Sequence, residues 1–216
     1  MNFIKTEIEG LIIIEPKVIG DSRGYFCETF KKELFEQNAG KVNFVQENES
    51  MSSYGVLRGL HIQRPPYTQA KLVSVPLGKV IDVAVDVRTD SPTFGKYAAV
   101  ELSDENKRRF WIPRGFLHGF VVLSEKAIFQ YKVDNVYNKE SEFGNIFSDP
   151  AIGIDWKLSK EQMLLSDKDL VLPQLKKENF YTAEEYYKIN YGKKYLLYRS
   201  RLRRRTDDDC HGLQMS

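Results

Sequence analysis

The stretch Lys79–Arg88 reads Lys-Val-Ile-Asp-Val-Ala-Val-Asp-Val-Arg. Ile81, Val83, Val85 and Val87 recur at a period of two, while Asp82, Ala84, Asp86 and Arg88 fall on the opposite face with Val80. A helix would scatter these side chains around its axis, whereas a strand alternates them, so the segment reads as β. Ala127–Val133 behaves alike, with Ala127, Phe129, Tyr131 and Val133 on one face. Further strand candidates are Leu11–Glu15, Lys71–Val75, Lys96–Leu102, Arg109–Ile112 and Phe120–Leu123. Pro76 and Gly78, Ser91-Pro92 and Gly95, and Pro113 and Gly115 fall between them as turn signals. Many short strands parted by turns constrain the chain to an all-β sandwich or barrel. Helix signals are few. Lys31–Asn38 stops at Gly40, and Ser159–Gln162 has capping-box spacing before Met163 and Leu164.

With 216 residues, the chain is long enough for one sizeable core, and 42% hydrophobic content argues against wholesale disorder. A formal charge of +2 gives no reason to expect nucleic acid or a membrane as partner. Two cysteines, Cys27 and Cys210, exclude a disulfide framework or a Cys-rich zinc module. Three histidines make a histidine-rich metal centre a poor expectation. Residues 1–10 lack the basic start and apolar run of a secretory leader, and no apolar stretch is long enough to span a bilayer. The expectation is a soluble, cytoplasmic protein. Past about Thr182 the chain becomes charged and tyrosine-rich, then runs through Arg199, Arg201, Arg203, Arg204 and Arg205 to Asp207, Asp208 and Asp209. From Lys193 to Asp209 seven Lys/Arg meet three Asp, a net of +4 that leaves −2 for the rest. We therefore expect a domain over residues 1–182 and a charged tail over 183–216. The tail reads as a non-native or disordered extension in preference to a basic interaction arm.

Two segments place histidine among glycines. In Gly55–Gln63, Arg58 and His61 offer a cation suited to phosphate and a base that works near neutral pH, against the plainer reading of a turn with a structural histidine. In Trp111–Phe120, His118 follows a Pro-Arg-Gly bend, where a satisfied core histidine is an equal alternative. Tyr131 is by pattern a core residue, though a buried phenol can also donate a proton. Taken singly, Lys71, Arg23, Glu28 and Lys168 are ordinary solvated charges. There is no P-loop, Rossmann glycine fingerprint, nucleophile elbow or metalloprotease helix motif. Cys27 has no neighbouring histidine to activate it.

Taken together, ordered blocks from about Ile4 to Leu175 resemble the dTDP-4-dehydrorhamnose 3,5-epimerase family. They include Asp21-Ser-Arg-Gly-Tyr-Phe-Cys-Glu28, Phe44-Val-Gln-Glu-Asn48, Val56-Leu-Arg-Gly-Leu-His61 and Gln69-Ala-Lys-Leu-Val73. Ile112–Phe120, Phe129-Gln-Tyr-Lys132, Gly153-Ile-Asp-Trp156 and Leu165-Ser-Asp-Lys-Asp169 continue the match. The resemblance implies a cupin-type jelly roll without metal or other cofactor. Gln63 stands where a metal cupin has its second histidine, and Lys71 follows where a carboxylate ligand belongs. Ile62, before Gln63, replaces the family's usual tyrosine or phenylalanine.

The implied reaction inverts C3 and C5 of dTDP-4-dehydro-6-deoxy-D-glucose, beside its C4 ketone. By resemblance, His61 is the base, Asp169 its orienting carboxylate, Tyr131 the acid on the other face, and Lys71, together with His118, the holder of the enolate oxygen. Arg23, Glu28, Gln46, Asn48, Arg58, Glu142 and Lys168 match the family's substrate-binding positions, and rings near Tyr137 and Phe26 are candidates to stack on thymine. A homodimer is implied, with N-terminal strands reaching the partner. The competing expectations are an epimerase for C3 or C5 alone, a non-catalytic sugar-nucleotide binder, and a metal cupin.

Overall fold

The computed structural model describes residues 1–191. Thirteen strands and three α-helices are found among them. One six-stranded sheet runs in the order β1 (Asn2–Lys5), β2 (Ile12–Glu15), β10 (Arg109–Ile112), β7 (Lys71–Leu77), β12 (Lys126–Val133), β5 (Gln46–Ser53). A five-stranded sheet runs β13 (Glu142–Gly144), β6 (Leu57–Gln63), β11 (Phe116–Val122), β8 (Lys79–Asp86), β9 (Tyr97–Ser103). A separate hairpin pairs β3 (Val18–Asp21) with β4 (Gly24–Cys27). The helices are α1 (Lys32–Ala39), α2 (Asp167–Leu170) and α3 (Ala183–Tyr191). The expected all-β sandwich is therefore what the chain forms.

The two sheets close on one apolar layer. Val73, Val75, Phe110, Ile112 and Phe129 from the larger sheet meet Val80, Val100, Leu102, Phe116 and Phe120 from the smaller. Phe120 and Phe129 stack with centroids 4.0 Å apart and planes 8° from parallel. The outer faces are covered too. Phe35 of α1 packs with Trp111, Leu72, Ile12 and Ile14 against the larger sheet. Phe147, Trp156, Phe180 and Tyr186 pack on Ile81, Val83, Val85 and Leu117 of the smaller one. Consequently β8 is buried on both faces, and its Asp82 and Asp86 point between the sheets with no exposure.

Three local readings change with the structure. β11 begins at Phe116, four residues before the expected start, because all seven of its residues are buried and no alternation marks them. Gly55–Gln63, readable as a turn, is mostly strand β6. Its Gly59 (φ +132°) is needed because a Cβ there would lie 2.6 Å from the Gly119 Cα on β11. The polar segment β5 carried no apolar signal. Its Asn48 and Ser50 line a cleft, while Glu47, Glu49, Met51 and Ser53 are exposed.

The boundary placed near 182 coincides with the start of α3. Thr182 Oγ1 donates to Glu185 Oε2 at 2.8 Å, and the Glu185 backbone N–H returns to Thr182 Oγ1 at 3.3 Å. Past that cap the chain stays with the domain. Tyr186 is 1% exposed, and its carbonyl accepts from Thr68 Oγ1 at 2.8 Å. The basic run at 199–205 and the acidic run after it lie outside the described residues. Among the described residues no helix is long and apolar enough to cross a membrane.

Candidate active site

A cleft of about 560 Å³ opens at one end of the sandwich, within the range of small-molecule sites. Eight of the residues expected from sequence line it: Asn48, Arg58, His61, Lys71, His118, Tyr131, Lys168 and Asp169. Their placement follows from strand register. His61 and His118 are directly opposed on β6 and β11, and Tyr131 faces Asn48 across β12 and β5. His61 and His118 thus enter from the smaller sheet, Tyr131 and Lys71 from the larger.

His61 is joined to Asp169, 108 residues away, by a 2.6 Å contact between Nε2 and Oδ1. That approach depends on the 162–170 segment running beside β6. Leu164 N donates to Gly55 O at 2.8 Å, and Leu57 N donates to Leu164 O at 2.9 Å. Gly55 (φ +77°) is obligatory there, since a Cβ would lie 2.1 Å from Gln162 O. Ser166 then caps α2 by accepting from Asp169 N. Burial alone would raise the Asp169 pKa, but hydrogen bonds from His61, Ser166 and the Gly59 backbone hold it below the ordinary carboxylate range. A carboxylate can only accept, so His61 donates through Nε2 and its Nδ1 is left as the basic atom.

A second pair lies deeper. His118 Nε2 is 3.0 Å from Asp82 Oδ2, and His118 Nδ1 is 3.2 Å from Lys71 Nζ. Burial pushes the His118 pKa down, against the pull of Asp82 and with the Lys71 charge, so the ring is neutral at pH 7. Burial likewise lowers Lys71 to about 8, opposed by the Asp82 and Glu142 charges. Tyr131 goes the other way: burial raises its pKa, against a hydrogen bond from Asn48 and the Arg58 charge, so the phenol keeps its proton.

At the mouth, Glu142 bonds Lys168 and accepts from Tyr137 Oη at 2.9 Å. Burial would raise the Glu142 pKa, yet those two bonds keep it lowered. Arg58 Nε donates to Ser52 Oγ at 3.2 Å. Gln46 sits one step back, donating to Asn48 Oδ1 at 2.8 Å. Arg23 and Glu28 do not reach the cleft of their own chain. Both are exposed on or just after the hairpin, where Arg23 pairs with Asp21. Phe26 is also on that hairpin, 69% exposed. Gln63 is buried and accepts from Asn138 N at 2.9 Å, away from the cleft. Among the described residues no three His, Cys, Asp or Glu side chains converge as a metal site. Sequence reasoning missed Asp82, Ser166 and the Phe120–Phe129 floor. Only the alternation of β8, which puts Asp82 beside Ala84 on a buried face, could have exposed the first.

An imidazole on one sheet bonded to a carboxylate on α2, with a phenol and an ammonium entering from the facing sheet, defines a cupin-type β-sandwich equipped for proton transfer beside a carbonyl. The family model for dTDP-4-dehydrorhamnose 3,5-epimerase matches residues 5–177, and the chain belongs to that family. It is 56% identical over 171 residues to the dTDP-4-dehydrorhamnose 3,5-epimerase of Shigella flexneri, covering 79% of this chain and 93% of that one. The solved dTDP-6-deoxy-D-glucose-3,5-epimerase of Legionella pneumophila, in complex with dTDP-4-keto-L-rhamnose, is 50% identical. It superposes with a TM-score of 0.79 over 84% of this chain and 97% of that one. A 3'-monoepimerase from Streptomyces bikiniensis, in complex with dTDP-quinovose, is 32% identical with a TM-score of 0.76, covering 83% and 93%.

Proposed function

We propose that this cleft binds dTDP-4-dehydro-6-deoxy-D-glucose and inverts C3 and C5, giving dTDP-4-dehydro-L-rhamnose. The observation that carries the reading is that one cleft brings together His61, bonded to Asp169, from the smaller sheet and Tyr131 and Lys71 from the larger. A C4 ketone acidifies the hydrogens on both neighbouring carbons. His61 Nδ1 takes the proton from one face, and the electron pair moves onto the ketone oxygen. Asp169 stabilises the imidazolium that results. Lys71 Nζ holds the enolate oxygen, supplying charge where charge develops. Tyr131 Oη then donates its proton to the carbon from the opposite face, and inversion follows. Solvent resets both groups, so no electron is transferred and nothing else is consumed. Arg58 and Lys168 suit the diphosphate, and Asn48 and Glu142 suit sugar hydroxyls.

The assembly belongs to the same proposal. The β3–β4 hairpin pairs with neither main sheet and exposes Val18, Ile19, Tyr25 and Phe26 at 44, 57, 61 and 69%. An isolated two-stranded hairpin is marginal in water, and such an apolar surface calls for cover. A second copy of the chain supplies it, with the hairpin carrying Arg23 and Glu28 toward the partner's cleft. A charged nucleotide sugar does not cross a bilayer unaided, which favours a cytoplasmic enzyme.

The test is solvent deuterium exchange into the nucleotide sugar, with product stereochemistry read by NMR. Deuterium at both C3 and C5 with both centres inverted is the expected result. Exchange at one carbon alone means a mono-epimerase, and no exchange by folded protein refutes the reading. Sedimentation as a monomer at micromolar concentration refutes the dimer.

A further inference from the structure

Asp82 is a buried carboxylate that the mechanism above does not use. It has no exposure, and its Oδ1 has no hydrogen-bond partner among the described residues. An unpaired oxygen on a buried carboxylate costs stability. Its other oxygen makes a single contact, to His118 Nε2 at 3.0 Å, and His118 Nδ1 then meets Lys71 Nζ at 3.2 Å. The chemistry of the two ends fixes the ring between them. A carboxylate can only accept and an ammonium can only donate, so a neutral His118 must carry its proton on Nε2 and offer a lone pair on Nδ1.

We propose that Asp82 is a positioning residue: acting through His118, it holds the Lys71 ammonium at the place where the C4 ketone oxygen of the substrate comes to rest. The inference rests on the functional reading above. Other groups facing Lys71 are His61 and Arg58 from β6, Glu142 from β13 and the Tyr131 ring from β12, 5.8 Å from Nζ. Of the two carboxylates, Asp82 alone is linked to Lys71 by a hydrogen-bonded ring. Its charge also favours the protonated amine, against the burial that brings Lys71 to about 8.

The experiment replaces the charge and keeps the shape, with Asp82→Asn. In the unaltered enzyme the alkaline limb of kcat/KM is expected near pH 8. In the variant it moves to lower pH by about one unit, since a carboxylate that favoured the cation is gone. At pH 8, kcat falls about fivefold or more, while KM changes by less than about threefold. A limb that stays in place, or a loss carried by KM alone, overturns the proposal. If the variant does not fold, the 15N resonances of His118 in the unaltered protein decide it. The Nε2–H tautomer between pH 6 and 8 supports the arrangement, and the Nδ1–H tautomer refutes it. An unaltered enzyme that fails to epimerise strikes the functional reading, while the tautomer still judges the role of Asp82.

Discussion

Replacing Lys71 by methionine should remove activity and yet stabilise the fold near neutral pH. The ordinary lysine pKa of 10.5 falls to about 8 in the folded protein, chiefly because burial disfavours the charge. At 1.36 kcal/mol for each pH unit, that gap amounts to about 3 kcal/mol of folding free energy lost to hold the cation. The unfolded chain binds this proton more tightly than the folded one. The full penalty is therefore present below about pH 8 and fades as pH rises toward 10.5. Methionine fills a similar volume without the charge. Two effects reduce the gain. The cleft admits water, and His118 Nδ1 loses its donor at about 1 kcal/mol. The net stabilisation at pH 7 is then about 1 kcal/mol, a rise in Tm of roughly 2–4 °C for a chain of this size. Near pH 10.5 the gain disappears and the lost hydrogen bond leaves the variant slightly the weaker. Thermal melts at one protein concentration, at pH 7 and at pH 10.5, measure both ends. Deuterium exchange should fall about 10²–10³-fold, as for loss of one oxyanion-stabilising donor. A Lys71→Met protein that is less stable at pH 7, or whose stability difference ignores pH, refutes the reasoning.

Tyr131→Phe should let the initial proton abstraction continue while completed inversion slows by about 10²-fold or more; equal loss of wash-out and inversion would remove the phenol as a separate acid. Asp169→Asn should keep the fold and lower kcat by about 10²–10⁴-fold, with KM little changed, because the amide can hold His61 in the wrong tautomer. Wild-type kcat in that variant would show that the pair is only structural. Phe26→Asp should weaken self-association and raise KM for the nucleotide sugar, read by sedimentation and kinetics, and an unchanged dimer would move the interface elsewhere.

The fold was legible wherever one strand face was apolar and the other was not. Ala127–Val133 announced itself in that way, and the structure places β12 there. β5 was invisible because the cleft replaces the apolar layer beneath it, so its inner face is Asn and Ser. β11 was clipped for the opposite reason, being buried on every side. The site was less legible than the fold. Nothing in spacing brings Asp169 to His61, since the link depends on the 162–170 segment pairing beside Gly55 and Leu57. The family resemblance supplied that contact. It also supplied Arg23 and Glu28, which the single chain leaves on the hairpin. Asp82 escaped because a polar residue alternating with valines reads as the solvent face of a strand, and both faces of β8 are covered.

That inversion explains why a sandwich suits this chemistry. Inverting a carbon requires a proton to leave one face and another to arrive on the opposite one. Base and acid must therefore be fixed on either side of the sugar ring, and neither can swing across. Two packed sheets stand about 10 Å apart, enough to seat a ring only where large core residues are withheld. Here Asn48 and Ser50 open the space, and the Phe120–Phe129 stack closes it below. His61 then approaches from one wall and Tyr131 from the other. C3 and C5 flank the same ketone, so a single cation serves the enolate of either carbon. In the proposed mechanism a single Lys71, which contacts a buried histidine backed by a carboxylate, would serve both inversions.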